Sequence, residues 1–224
     1  MDINKVFNED CTVTMGRFLD NSIDLIVTDP PYGMDFQSGH RKIKHDKIVN
    51  DTSLDWMPTV FKECKRILKD DGHAYFFCSF HFIDTFLQTL KSVCFEVKNI
   101  LIWHKNNTGM GDLEGDYAPQ YEFIIFCSNG NKKLNGRRDS NILKFARTNN
   151  DFHPTQKPVD LIRFLIQKSS NENDIVFDGF MGCGTTAIAS YIEHRNFIGS
   201  EIDPNHYNTC QSRLSKHLTI QQLF

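Results

Sequence analysis

The 224-residue sequence has no excess of positive charge; its formal net charge is −3. No global basic field announces a nucleic-acid partner, so any such partner must be met by a local patch. The seven cysteines (Cys11, Cys64, Cys78, Cys94, Cys127, Cys183 and Cys210) are odd in number and never form a Cys-x-x-Cys pair. That pattern argues against a disulfide framework or a zinc ribbon and reads as reduced, mostly buried thiols. No apolar run approaches the ~20 residues needed to cross a bilayer. The N-terminus, Met1-Asp-Ile-Asn-Lys-Val6, has no signal-peptide core. The expected location is therefore the cytoplasm, with no membrane partner. The nine histidines form no ligand cluster, so no metal is expected. Internal repeats and low-complexity tracts are also missing.

What remains is the profile of a globular chain: 40% hydrophobic residues with both charge signs mixed along it. Short β-branched and aromatic runs alternate with amphipathic stretches. Strands are expected at 22–28, 74–78, 95–103, 121–127, 174–178 and 197–202. Helices are expected at 57–68, 82–92, 159–167, 185–194 and 204–218, the first stopped by Asp70-Asp71-Gly72. Strands separated by helices imply right-handed crossovers and a mostly parallel sheet. The fold class is α/β, in one domain spanning 1–224. Two stretches break the rhythm, 37–50 and 104–152, and are candidate partner-reading loops.

Two loops carry chemistry. Asp178-Gly-Phe-Met-Gly-Cys-Gly-Thr-Thr186 follows a strand and opens a helix. Its glycines allow a tight turn and close ligand approach, and helix-terminal amides favour negative charge. Glu201 ends the next strand and can accept hydrogen bonds from both hydroxyls of a ribose. The spacing Gly179-x-x-Gly182-x-Gly184 is neither Gly-x-Gly-x-x-Gly nor a P-loop, which disfavours a dinucleotide. A plain glycine turn before a helix is the bland reading of the same residues. The second loop is Asp29-Pro30-Pro31-Tyr32, directly after the strand 22–28. Two prolines fix the backbone, and with it the Asp29 carboxylate and the Pro30 carbonyl. Two such acceptors suit one amino group, and Tyr32 offers a face for stacking a base. A rigid strand-to-loop turn is the bland alternative. Ligands in open parallel sheets bind beyond strand carboxyl ends where strand order reverses. If strands 22–28 and 174–178 are neighbours, the two loops face each other there.

Together these motifs resemble the β class of DNA amino-methyltransferases, in which Asp-Pro-Pro-Tyr precedes the glycine-rich cofactor motif. His153-Pro-Thr-Gln-Lys-Pro158 and Phe61 to Gly72 resemble further family segments, so the likeness runs from Val6 to about Leu214. The resemblance implies a Rossmann-like, seven-stranded methyltransferase sheet with helices on both faces and one antiparallel strand near an edge. It implies a small target-recognition insertion at about 104–152. The implied activity is transfer of a methyl group from S-adenosyl-L-methionine to the N6 amino group of adenine in DNA. It is the activity of restriction-modification methylases, and it makes DNA with a flipped target base the partner and allows a homodimer. Asp29, Pro30, Pro31 and Tyr32 would be catalytic. Asp10, Cys11, Asp29, Thr155, Lys157, Asp178, Phe180, Gly182, Gly184, Thr185, Thr186 and Glu201 would bind the cofactor, with Lys157 and Thr155 near its carboxylate. The basic residues Arg41, Lys42, Lys44, Lys132, Lys133, Arg137, Arg138 and Arg147 are expected to meet DNA phosphates. Solvated loops are the ordinary reading of such runs. Cytosine-N4 methylation stays open as the near rival. A nucleotide-dependent oxidoreductase and a non-catalytic DNA-binding module are the distant ones, and RNA or a protein amide remains a conceivable acceptor.

Overall fold

In a computed structural model, described here for residues 2–31, 54–109, 114–148 and 156–221 (side chains to 217), the run Ile23-Asp-Leu-Ile-Val-Thr28 forms the central strand. It is apolar towards both faces, the pattern of a parallel strand covered on each side. Ile23 and Ile26 pack into one core, Leu25 and Val27 into the other.

Eight strands are described: β1 (Lys5–Phe7), β2 (Ile23–Thr28), β3 (Leu68–Cys78), β4 (Glu96–His104), β5 (Tyr121–Ser128), β6 (Ile142–Lys144), β7 (Ile175–Asp178) and β8 (Asn196–Ser200). Their order in one sheet is β1-β8-β7-β2-β3-β5-β4-β6. Only β5 runs against the others, pairing antiparallel with both β3 and β4. The α/β class and the mostly parallel sheet are as expected. The eighth strand is β6, a three-residue edge strand beside β4 that is too short to show a period in sequence.

Among the described residues six α-helices cover the faces: α1 (Cys11–Met15), α2 (Met57–Ile67), α3 (Ile83–Ser92), α4 (Val159–Ser169), α5 (Thr185–Ile192) and α6 (Pro204–Gln221). Helix α2 buries Met57, Val60, Phe61, Cys64 and Ile67, one face at helical spacing. With Met15 of α1 and Phe86 and Leu90 of α3 it fills the first core. Leu161, Ile162, Leu165 and Ile166 of α4 fill the second. The α5–α6 pair closes a third cluster over β1 and β8.

The turn expected at Asp70-Asp71-Gly72 survives as an irregularity inside β3. Register with β2 jumps from Ile23↔Leu68 to Leu25↔His73, so residues 69–72 bulge out. Within the interval 104–152, β5 and β6 belong to the sheet. The other described residues fall into three stretches: before β5, between β5 and β6, and after β6.

Arg66, near the end of α2, ties these layers together. Its guanidinium donates to the carbonyls of Phe18 and Met15 at 2.8 and 2.9 Å and to the Asp20 and Glu63 carboxylates. Arg66→Ala should lower stability by about 1–3 kcal/mol in urea unfolding, since charged hydrogen bonds are lost and the Phe18 carbonyl loses its donor. Arg66→Lys should recover less than half, because an ammonium lacks the planar fork. An unchanged midpoint in the alanine variant would show that these contacts contribute nothing.

Candidate active site

Strand β2 lies directly beside β7, with Leu25 opposite Val176 and Ile26 opposite Phe177. From β2 the chain crosses to β3 on one side; from β7 it crosses to β8 on the other. This is the reversal point at which open sheets bind ligands. The loops beginning at Asp29 and at Asp178 therefore share one crevice, as the sequence motifs required.

The two strand ends are stitched together. Thr28 Oγ1 donates to Asp178 Oδ1 at 2.8 Å, Thr186 Oγ1 donates to Oδ2 at 2.6 Å, and the Phe180 amide donates to Oδ1 at 3.0 Å. Asp178 is buried, and its carboxyl is pushed up to about 6 by that burial against the opposing pull of Thr186, Phe180 and Thr28. Thr186 thus uses its hydroxyl proton to hold the turn.

The glycine turn is shaped by two left-handed residues, Gly182 (φ 53°) and Gly184 (φ 87°). A Cβ on Gly184 would lie 2.6 Å from Cys210 Sγ of α6. Only glycine permits that approach. Arg213, also from α6 and buried, donates to the Cys183 carbonyl at 2.6 Å and backs the turn from behind. Glu201, past the end of β8, accepts from the Gly182 amide at 2.7 Å and from the Asp203 amide at 2.9 Å. Each carboxylate oxygen has two lone pairs, so Glu201 keeps capacity for two more donors. Burial raises its carboxyl, and the amides of Asp203 and Gly182 oppose that rise.

The first crossover comes to the same edge. Asn8 donates to the carbonyls of Glu201 and Ile202. Asp10 caps α1, accepting from the Thr12 amide at 2.8 Å, and buried Cys11 packs against Gly179. Phe180 stacks obliquely on Trp56, centroids 5.5 Å apart. The Trp56 indole N–H is buried there and finds no acceptor.

Lys157, just before α4, is met by two carboxylates. Its ammonium lies 2.5 Å from Asp29 Oδ2 and 3.1 Å from Glu122 Oε2, and it sits over the Phe77 ring at 5.0 Å. It thereby ties the Asp-Pro-Pro loop to β5. Burial alone would lower this ammonium; Asp29 and then Glu122 outweigh it and hold it above its ordinary value. Glu122 was not singled out in the sequence, where it reads as one polar residue in a strand. Trp56, Thr28 and Arg213 were missed in the same way, since nothing local marks them.

The structure gathers Asp10, Cys11, Asp29, Pro30, Pro31, Lys157, Asp178, Phe180, Gly182, Gly184, Thr185, Thr186 and Glu201 at the carboxyl edge of the sheet. Tyr32, Arg41, Lys42, Lys44 and Thr155 lie outside the described residues. Arg147 follows β6 on the same edge, its amide bonded to Asn106 just past β4. The run holding Lys132, Lys133, Arg137 and Arg138 does not come beside the site. It follows antiparallel β5, so it leaves the sheet at the opposite edge. There the Lys132 carbonyl meets His73, and Asn135 and Arg137 are held by Lys168 at the far end of α4. Among the described residues no three His, Cys, Asp or Glu side chains are grouped to hold a metal.

With this geometry in view, the comparisons converge. The model of the N6/N4 DNA methylase family matches residues 23–212, and the chain belongs to that family. A relative is the type II methyltransferase M2.MboI of Moraxella bovis, 30% identical over 88% of this chain and 82% of its own length. The solved M1.HpyAVI–SAM complex is 26% identical, with a TM-score of 0.75 over 94% of this chain and 98% of that one. The PvuII DNA methyltransferase, titled cytosine-N4-specific, shares the fold with a TM-score of 0.76 at 18% identity, over 92% of this chain and 84% of its own.

The raised Asp178 carboxyl has a measurable consequence. From its ordinary value of 3.8 up to about 6, the folded state keeps a proton that the unfolded chain releases. Stability contributed by this group therefore falls as pH rises through that window, and the penalty stands above it. Asp178→Asn keeps an acceptor for Thr28 without the charge. Its thermal midpoint relative to the parent should be most favourable near pH 8 and lose that advantage on acidification to pH 4. A difference independent of pH would show that the buried carboxyl does not titrate in this range.

Proposed function

We propose that the chain transfers a methyl group from S-adenosyl-L-methionine to the N6 amino group of adenine in DNA. The observation that carries this reading is the juxtaposition of the Asp29-Pro30-Pro31 loop and the glycine turn across the β2–β7 crevice. The residues present fit the cofactor. Glu201 has acceptor capacity left for ribose hydroxyls, and the left-handed Gly182 and Gly184 hold the turn that opens α5. The Trp56 indole N–H is a buried donor that still wants an acceptor.

When bound, the cofactor supplies a methyl group already activated by the sulfonium charge. The protein's part is alignment and charge. Asp29 accepts a hydrogen bond from the target amine and stabilises positive charge as it builds on that nitrogen. The prolines stiffen the loop and so hold the Asp29 carboxylate and the Pro30 carbonyl where both would accept from the amine. The proton that the methylated amine sheds would pass to solvent, so no strong base would be needed. Tyr32 stacks the base once it has left the duplex, a step costing a few kcal/mol. An aspartate at position 29 favours adenine over cytosine; cytosine N4 is the second reading, and the family spans both.

The DNA-facing surface is proposed to lie on the carboxyl edge, where Arg147 follows β6; Arg41, Lys42 and Lys44, outside the described residues, are proposed as DNA contacts from the sequence alone. Target reading falls to the stretches before β5 and after β6. Neutralising Arg137 and Arg138 should leave the salt dependence of DNA binding unchanged, whereas Arg147→Ala should weaken binding and flatten the slope by about one phosphate contact. The reverse pattern would move the DNA to the other edge.

Labelled methyl transfer to unmethylated genomic DNA, with nucleoside analysis, tests the main reading. N6-methyladenine is expected; N4-methylcytosine would change the base and keep the mechanism; no label despite cofactor binding would remove DNA as the acceptor. In the same assay Asp29→Asn should lose at least ~100-fold in turnover while binding the cofactor normally. Turnover equal to the parent would remove Asp29 from the chemistry.

A further inference from the structure

We infer that Glu122 and Lys157 form a buried clamp that positions the Asp29 carboxylate, and that Lys157 acts on Asp29 rather than on the cofactor's carboxylate. This rests on the reading in which Asp29 faces the acceptor amine. Three elements distant in sequence build the clamp: the loop after β2, the first residues of β5, and the turn into α4. Lys157 Nζ is 2.5 Å from Asp29 Oδ2 and 3.1 Å from Glu122 Oε2, while Glu122 Oε1 is 2.6 Å from Lys105 Nζ. Lys157 is only 6% exposed, so its charge is sealed between these partners and the Phe77 ring.

The charges alternate along the chain of contacts: Asp29, Lys157, Glu122, Lys105. A buried ammonium facing Asp29 alone would claim that carboxylate fully and weaken it as an acceptor. A second carboxylate shares the ammonium, so Asp29 is oriented without being neutralised. Lys157 Nζ lies 3.1 Å from Glu122 Oε2, and its charge lowers the Glu122 carboxyl more than the hydrogen bond between them does. An isosteric amide at position 122 keeps the shape and removes that charge. Lys105 fixes Glu122 from the solvent side and lies over the Trp103 ring at 4.9 Å. Burial raises the Glu122 carboxyl, but Lys157 and Lys105 outweigh it and hold the carboxyl below its ordinary value.

A double-mutant cycle on Glu122→Gln and Lys157→Met tests the clamp, with turnover on DNA and calorimetric affinity for S-adenosyl-L-methionine measured on each variant. Glu122→Gln is expected to lower kcat about tenfold with the cofactor KM unchanged. Lys157→Met should lower kcat about 100-fold, because it leaves the Asp29 and Glu122 carboxylates without their shared cation. The double variant should recover several-fold over Lys157→Met, which lost packing alone would not allow. Cofactor affinity should stay within about threefold throughout. Parent-like kcat in Glu122→Gln overturns the inference. So does a tenfold or greater loss of cofactor affinity in Lys157→Met, which would assign Lys157 to the cofactor carboxylate. If the parent binds the cofactor but never labels DNA, the acceptor assignment fails instead, and the affinity arm still decides what Lys157 holds.

Discussion

Everything at this site depends on β2 lying next to β7. The chain separates these strands by nearly 150 residues, yet their ends are joined by one short hydrogen bond, from the Thr28 hydroxyl to Asp178. That contact sets how far the Asp29 loop stands from the glycine turn. It is a costly place for a carboxylate, because Asp178 is buried and its carboxyl is pushed up towards neutrality. Three donors converge on it, and the result is a rigid corner from which both functional loops depart. Shifting either strand by one residue would turn every side chain of that strand to the wrong face and separate the loops.

The other loops reach this corner by the same rule. In a parallel sheet, each strand delivers whatever follows its carboxyl end to one edge. Asp10, Asp29, Asp178 and Glu201 each lie within a few residues of such an end. The glycine turn then needs support that no strand can give. Arg213 and Cys210, both on α6, supply it by packing against Cys183 and Gly184. The last helix of the chain thus holds the turn that opens α5.

The sequence made the regular part of this arrangement legible. The apolar run at 23–28, the α2 face and the strand–glycine–helix pattern at 174–186 all follow from short-range periodicity, and the elements form where that periodicity puts them. The same motifs pointed to the edge on which they gather. Two kinds of feature were not legible. Strand β6 is three residues long and carries no period. Pairings set by tertiary contact, such as Glu122 with Lys157 or Arg213 with Cys183, leave no local trace. The position of the basic run at 132–138 was equally hidden, because the antiparallel strand before it carries it to the edge opposite the glycine turn.

Direction of travel is the deeper constraint. Among the described strands β5 alone is reversed, so it brings its first residues to the site, where every parallel neighbour brings its last. Glu122 stands opposite Trp103, near the end of β4, and beside the ammonium of Lys157. A parallel strand in that place would have put its entry residues at the opposite edge, leaving Lys157 with Asp29 alone. The reversal also divides the 104–152 interval. The stretch before β5 and the stretch after β6 fall on the site's edge, while the stretch between them falls away from it. The loop residues of this interval are therefore split around a strand whose own first residues meet the charged groups of the site.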